Sequence, residues 1–171
     1  PKYKEKFILS ITKQANHLSI NIGSSEDDEN KLICCSSLIL VGLTFKNQNK
    51  HYRSSLSILQ KFINNNFDNS GFPKSRNPEE LMICLKYLIL IKEWIKESQN
   101  QIPDYLEEII FNCGKSYSFL SKNLDKLPLF NGAPEIQNEE FEKYLNYLNY
   151  NFKDSSKEKS GYVIFKDKKI V

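Results

Sequence analysis

Between Leu81 and Ile95 the chain reads LMICLKYLILIKEWI, apolar on nearly every side of a helix, and directly before it stand Asn77, Pro78, Glu79 and Glu80. Asn caps a helix N-terminus, proline at the first helical position loses an N–H that would be unpaired there anyway, and the two carboxylates complement the positive end of the dipole. The pattern predicts a helix from Asn77 to about Ser98. A helix without a polar side must be covered from more than one direction, which commits the chain to a larger helical assembly. Leu32 to Phe45 has the same character. It is shorter than the roughly 20 apolar residues of a membrane span and contains Ser36, Ser37 and Thr44, so it reads as a second buried helix. Ser25 is its expected N-cap, with Glu26 to Glu29 in its first turn.

Amphipathic helices flank these two. Tyr3, Phe7, Ile11, Ala15, Leu18 and Ile22 recur at spacings of three and four, giving a first helix with one buried face that ends at Gly23-Ser24-Ser25. Tyr52, Leu56, Leu59 and Ile63 mark a helix between the polar turn Asn47 to Asn49 and Asn64-Asn65-Asn66. Pro103-Asp104 opens another, with Leu106, Ile109, Ile110, Cys113, Tyr117 and Leu120 inward, and Gly114 within it implies close helix packing. Asn123 to Pro134 reads as a structured loop, and Phe141, Leu145 and Leu148 as the inner face of a short helix. After the polar stretch Ser155 to Ser160 the period changes: Gly161 to Phe165 suits a strand, Lys166 to Lys168 a turn, and Lys169 to Val171 a return. The fold class expected is mainly α, antiparallel helical hairpins with a short β-hairpin at the C-terminus. No strict repeat period is visible, which disfavours a regular solenoid.

A chain of 171 residues can bury a core without disulfides. Its cysteines, Cys34, Cys35, Cys84 and Cys113, lie in apolar helical patterns without metal-ligand spacing and read as small core hydrophobes. With 24 basic and 21 acidic residues and no basic run, nucleic acid is not the favoured partner. No secretory leader or membrane span is visible, and the opening on helical pattern without Met suggests a piece of something longer. Either a periplasmic or a cytoplasmic location fits.

The polar loop FDNSGFPKSRNP, Phe67 to Pro78, lies between two apolar helices, a place where helical proteins carry binding residues. Arg53 and Arg76 are the arginines in a lysine-rich chain, and a guanidinium offers planar bidentate recognition that a lysine cannot. Arg76 is the favoured ligand contact, against the plain alternative of an ion pair with Glu79 or Glu80. Arg76→Lys is then expected to weaken ligand binding and leave stability nearly unchanged.

The chain resembles the heparinase II/III-like proteins, in the bacterial branch where a helical (α/α) toroid precedes a β-sandwich. The resemblance rests on S-R-N-P at Ser75 to Pro78, the paired helices after it, F-N-G at Phe130 to Gly132, and S-G-Y at Ser160 to Tyr162. It implies a partial toroid over residues 1–154, with 155–171 as linker and start of the sandwich. It also implies a polysaccharide lyase that cleaves an anionic, uronic-acid glycan by β-elimination, an intramolecular contact with the sandwich, and a metal, if any, held there; none is assigned to this chain. Two departures stand out. The histidine that many relatives carry in the loop is replaced by S-G-F-P at Ser70 to Pro73, and the tyrosine expected after the S-P step by Glu79-Glu80.

Arg76, Lys74, Ser75, Asn77 and Asn131 are the candidate substrate-binding residues. His17, next to Asn16, is the candidate general base; His51, at a helix start, reads as surface. Tyr117, Tyr144, Tyr147 and Trp94 read as packing groups. The alternatives are a toroid that binds a glycan or envelope component without cleaving it, and a helical-hairpin interaction module.

Overall fold

The structure, a computed structural model, describes residues 2–24, 27–121 and 126–163. Among these residues lie six α-helices: α1 Lys2–Asn21, α2 Asp28–Thr44, α3 Asn49–Asn66, α4 Pro78–Glu97, α5 Asp104–Ser121 and α6 Glu139–Tyr147. Short 3-10 turns at Ile22–Ser24 and Lys46–Gln48 join the first three. A hairpin of β1 Glu158–Lys159 and β2 Tyr162–Val163 follows, antiparallel, with Lys159 opposite Tyr162. The fold is mainly helical, and no described helix is long and apolar enough to cross a membrane.

The chain divides into two compact units, Pro1–Asn65 with Lys86–Glu107, and Asn66–Leu85 with Glu108–Val171. In the first, α1 packs on α2: Ala15 and Ile22 meet Cys35 and Leu38, with Leu18, Val41 and Ile58 around them. Gly42 lets α3 approach closely, since a Cβ there would lie 2.4 Å from the Tyr52 nitrogen. Tyr105 closes this unit by donating its hydroxyl to the Leu56 carbonyl at 3.0 Å. In the second unit every residue assigned to the inner face of α5, from Leu106's successors Ile109 and Ile110 through Cys113 and Tyr117 to Leu120, is buried. Tyr117 meets Phe141 edge-on at 5.0 Å, and Tyr144 stacks on the other part of that ring at 5.9 Å.

Several expectations need correction. The cap of α2 is Asp27, whose carboxylate accepts from the Glu29 N–H at 3.0 Å; an acidic run offers several equivalent caps, and backbone geometry selects among them. The apolar stripe of α1 is covered only towards its C-terminal end. Ala15 is buried whereas Tyr3 is 91% and Phe7 63% exposed. Gly114 does not mark helix–helix contact: the ring of Phe152, beyond α6, occupies the space its Cβ would need. Tyr147 is 84% exposed and Trp94 half-buried, so neither is a core group. His51 is buried, not superficial.

The hairpin also starts earlier than expected. Its first strand lies inside the polar stretch Ser155 to Ser160, because Ser160 and Gly161, both at positive φ, supply a two-residue turn. The expected return strand, Lys169 to Val171, lies outside the described residues.

Candidate functional site

The loop after α3 is built on Asp68. One carboxylate oxygen, Oδ1, accepts from the backbone N–H groups of Ser70 and Phe72, both at 2.9 Å. Around it the main chain folds back on itself: Gly71 N–H donates to the Asp68 carbonyl at 2.9 Å and Lys74 N–H to the Asn66 carbonyl at 2.8 Å. Gly71 has φ +77°, and an added Cβ would stand 2.4 Å from the Cys113 nitrogen of α5. Glycine is required here twice over, by dihedral and by space. Ser116 of α5 then donates to the Ser70 carbonyl at 2.7 Å, and Phe72 is buried. The loop is thus fixed against α5 at Ser70 and Gly71.

The second carboxylate oxygen of Asp68 holds Arg76, with Nη1 at 2.9 Å. That arginine adopts φ +61°, a left-handed conformation that costs a non-glycine residue about 1 kcal/mol. The ion pair and two rings hold it there: its guanidinium carbon lies 5.7 Å from the centre of Phe72 and 5.9 Å from that of Tyr162. The expected partners Glu79 and Glu80 are not used. Glu80 instead accepts from the Ser75 hydroxyl. Asn77 caps α4 as expected, its Oδ1 accepting from Glu79 N–H at 2.8 Å and Glu80 N–H at 3.3 Å.

Asn131 and Gly132 have φ of +52° and +83°, the paired left-handed conformation that an Asn-Gly turn adopts. The turn brings the Asn131 amide to the Arg76 carbonyl, to which Nδ2 donates at 3.0 Å, and to the Tyr162 hydroxyl, also at 3.0 Å. Tyr162 in turn donates to the same Arg76 carbonyl over a long 3.4 Å. Phe130 stacks on Tyr162 at 4.9 Å, and the Phe72 ring, tilted by 40°, lies 5.4 Å from that of Tyr162. The three short motifs, S-R-N-P, F-N-G and S-G-Y, therefore meet at one backbone oxygen within the second unit.

Of the five sequence-predicted binding residues, Arg76 and Asn131 form this cluster directly, and Ser75 and Asn77 build the start of α4 beside it. Lys74 is exposed on the same loop. His17 belongs to the first unit, on an exposed turn of α1 where the Asn21 amide donates to its carbonyl at 2.8 Å. Asp68 and Phe72 are not among the predicted site residues, and Tyr162 is marked in the sequence only as the end of the S-G-Y motif. The D-x-S-G spacing, suited to an aspartate that accepts from backbone two residues on, is the local signal for Asp68; nothing local marks Phe72.

Chemically, the cluster offers the exposed Lys74 ammonium, one partly exposed guanidinium already paired with a carboxylate, an amide and aromatic edges. Among the described residues no three His, Cys, Asp or Glu side chains are grouped to hold a metal ion. No family model, curated protein or solved structure matches the chain.

Proposed function

We propose that this chain is part of a heparinase II/III-like protein and that the Arg76 cluster is its contact for an anionic, uronic-acid glycan, with β-elimination as the reaction of the whole protein. The observation that carries the reading is the meeting of three separate motifs at the Arg76 carbonyl, since those same motifs carry the resemblance. Lys74 supplies the accessible charge. Arg76, held by Asp68, orients the loop and presents the remainder of its fork, and the Asn131 turn forms the polar edge. β-Elimination needs the glycan carboxylate neutralised and a proton moved; the cluster contributes to the first of these.

One observation favours binding without cleavage as a second reading. The Asn131 amide and the Tyr162 hydroxyl are engaged in joining the loops. The two readings separate when the protein that carries this chain is incubated with uronic-acid polysaccharides and the ultraviolet absorbance of the conjugated unsaturated uronate is followed. Growth of that band that is lost in Lys74→Ala supports the lyase. Retention of the polymer on an affinity gel, reduced by Lys74→Ala and without new absorbance, supports the binder. Neither retention nor absorbance across the panel removes the glycan reading.

A further inference from the structure

The C-terminal half of α5, α6 and residues 150–152 enclose a half-open cleft of about 110 Å3 inside the second unit. A water needs about 10–15 Å3 by this measure, so the cleft has room for several waters or one small organic molecule. Tyr117, Ser118 and Ser121 form one wall, and Glu142, Asn146 and Asn151 the other. Tyr117 is almost completely buried, and among the described residues its hydroxyl makes no hydrogen bond of good geometry. Glu142 and Ser121 are the groups beside it. Burial, and then the Glu142 charge, hold its phenol well above the ordinary tyrosine range, so it remains a neutral donor and acceptor.

The lining selects among ligands. Among the described lining residues Glu142 supplies the charge, and the remaining polar groups are hydroxyls and amides, a lining that favours a cation over an anion. A bare divalent ion suits the cleft poorly, since one carboxylate with neutral oxygens falls short of the usual anionic oxygen set. An alkylammonium, in contrast, has three N–H donors and needs one carboxylate and two neutral acceptors. The Tyr150 ring, 5.7 Å from that of Phe152, adds an apolar face to the same cleft, while the hydroxyls and amides suit further hydroxyl groups. We infer that the cleft binds a small protonated amine carrying hydroxyl groups, the chemistry of an amino sugar, with Glu142 as its ion-pair partner. The site uses none of the residues of the Arg76 cluster and stands independently of the glycan reading.

The test is a titration of the isotope-labelled 171-residue chain with D-glucosamine hydrochloride, followed by amide chemical shifts, with glucose and sodium chloride as controls. Saturable shifts centred on Ser118, Ser121, Glu142 and Asn146 are expected for glucosamine, with glucose far weaker. Glu142→Gln should weaken binding about tenfold, the loss of one charge-assisted contact, and Glu142→Lys should abolish it by filling the cleft with an ammonium of its own. Thermal melts of both variants establish that they are folded. A β-linked glucosamine dimer distinguishes sources: tighter binding than the monomer assigns the end of a polymer, weaker binding a free amino sugar. Equal affinity for glucose and glucosamine, affinity unchanged in Glu142→Gln and Glu142→Lys, or shifts that sodium chloride reproduces, would overturn the assignment.

Discussion

Arg76, singled out in the sequence as a ligand contact, also has a partner within its own loop. Its rarity in a lysine-rich chain suggests planar recognition of a ligand; within the protein a single guanidinium nitrogen, Nη1, meets the Asp68 carboxylate of its own loop at 2.9 Å. Sequence spacing favoured Glu79 and Glu80 because they lie one helical turn away; the left-handed φ of +61° turns the side chain back towards the loop instead. Arg76→Lys is therefore expected to cost stability, by about 1 kcal/mol given partial solvent screening of the pair. Urea denaturation of Arg76→Lys, Asp68→Asn and the double variant tests this: Asp68→Asn should cost less in the lysine background than in the native one, and equal costs would exclude the ion pair as the cause. His51 is the second case. A helix-start histidine reads as surface, yet this one is 3% exposed, and among the described residues its Nε2 has no hydrogen-bond partner. Burial first, and Lys50 second, lower its pKa below 6.5. A lowered folded pKa means that the unfolded chain binds the proton more readily, so the stability contributed by neutral His51 is complete above about 6.5 and is lost as pH falls below it. Denaturation midpoints measured from pH 7.5 down to 5 should decline, and His51→Gln should flatten that decline; an equal slope in both proteins would assign it to other groups.

At the scale of elements, helices were legible and the places where they touch were not. The boundaries of α4 follow from Asn77, Pro78 and the two glutamates, all of which act locally, and the inner face of α5 follows from a 3.6-residue period. The contacts of the glycines do not follow from any local pattern. Gly114 signals closeness, but only the folded chain reveals that the neighbour is Phe152 rather than a helix. Gly71 couples its loop to α5 through both backbone dihedral and space. Gly71→Ala is expected to destabilise by about 3 kcal/mol or more, combining left-handed strain with overpacking against the Cys113 backbone. Gly132, also at positive φ but with open space around its Cβ position, provides the control: Gly132→Ala should cost only about 1 kcal/mol. Thermal melts of the two variants rank them, and similar losses would mean that dihedral strain alone governs Gly71. The hairpin was anticipated from a change of period, but its turn fell at Ser160-Gly161 because two residues there accept positive φ, a preference that the apolar pattern of the following strand does not encode.

On the scale of the whole molecule, the segment after α6 is secured by polar contacts that sequence reading took for a linker. Asp154 and Lys159 form an ion pair at 2.8 Å with side chains only 9% and 13% exposed. The Asp154 N–H donates to Ser118 of α5 at 3.3 Å, and its carboxylate accepts from the Ser156 N–H at 2.8 Å. Desolvation is the largest influence on this carboxyl and opposes ionisation; the hydrogen bonds from Lys159 and Ser156 together outweigh it, and the pKa falls from 3.8 to about 2. A depressed folded pKa places the benefit above the unfolded value: about 2 kcal/mol is present above pH 4 and is lost as pH falls through about 2. Asp154→Asn should remove most of it at neutral pH and increase amide exchange across residues 154–163; unchanged exchange would show that the hairpin is held by Tyr162 and its ring contacts alone. By itself the amino-acid sequence determined the helical class, the start of α4, the loop that carries Arg76 and the turn at Asn131, because periodicity, capping and Asn-Gly turns act over a few residues. Tertiary structure alone decided which stripe of α1 is covered, that His51 is buried, and that Arg76, Asn131 and Tyr162 meet. Those outcomes depend on contacts between residues as many as 86 positions apart, and no local preference constrains a pair at that distance.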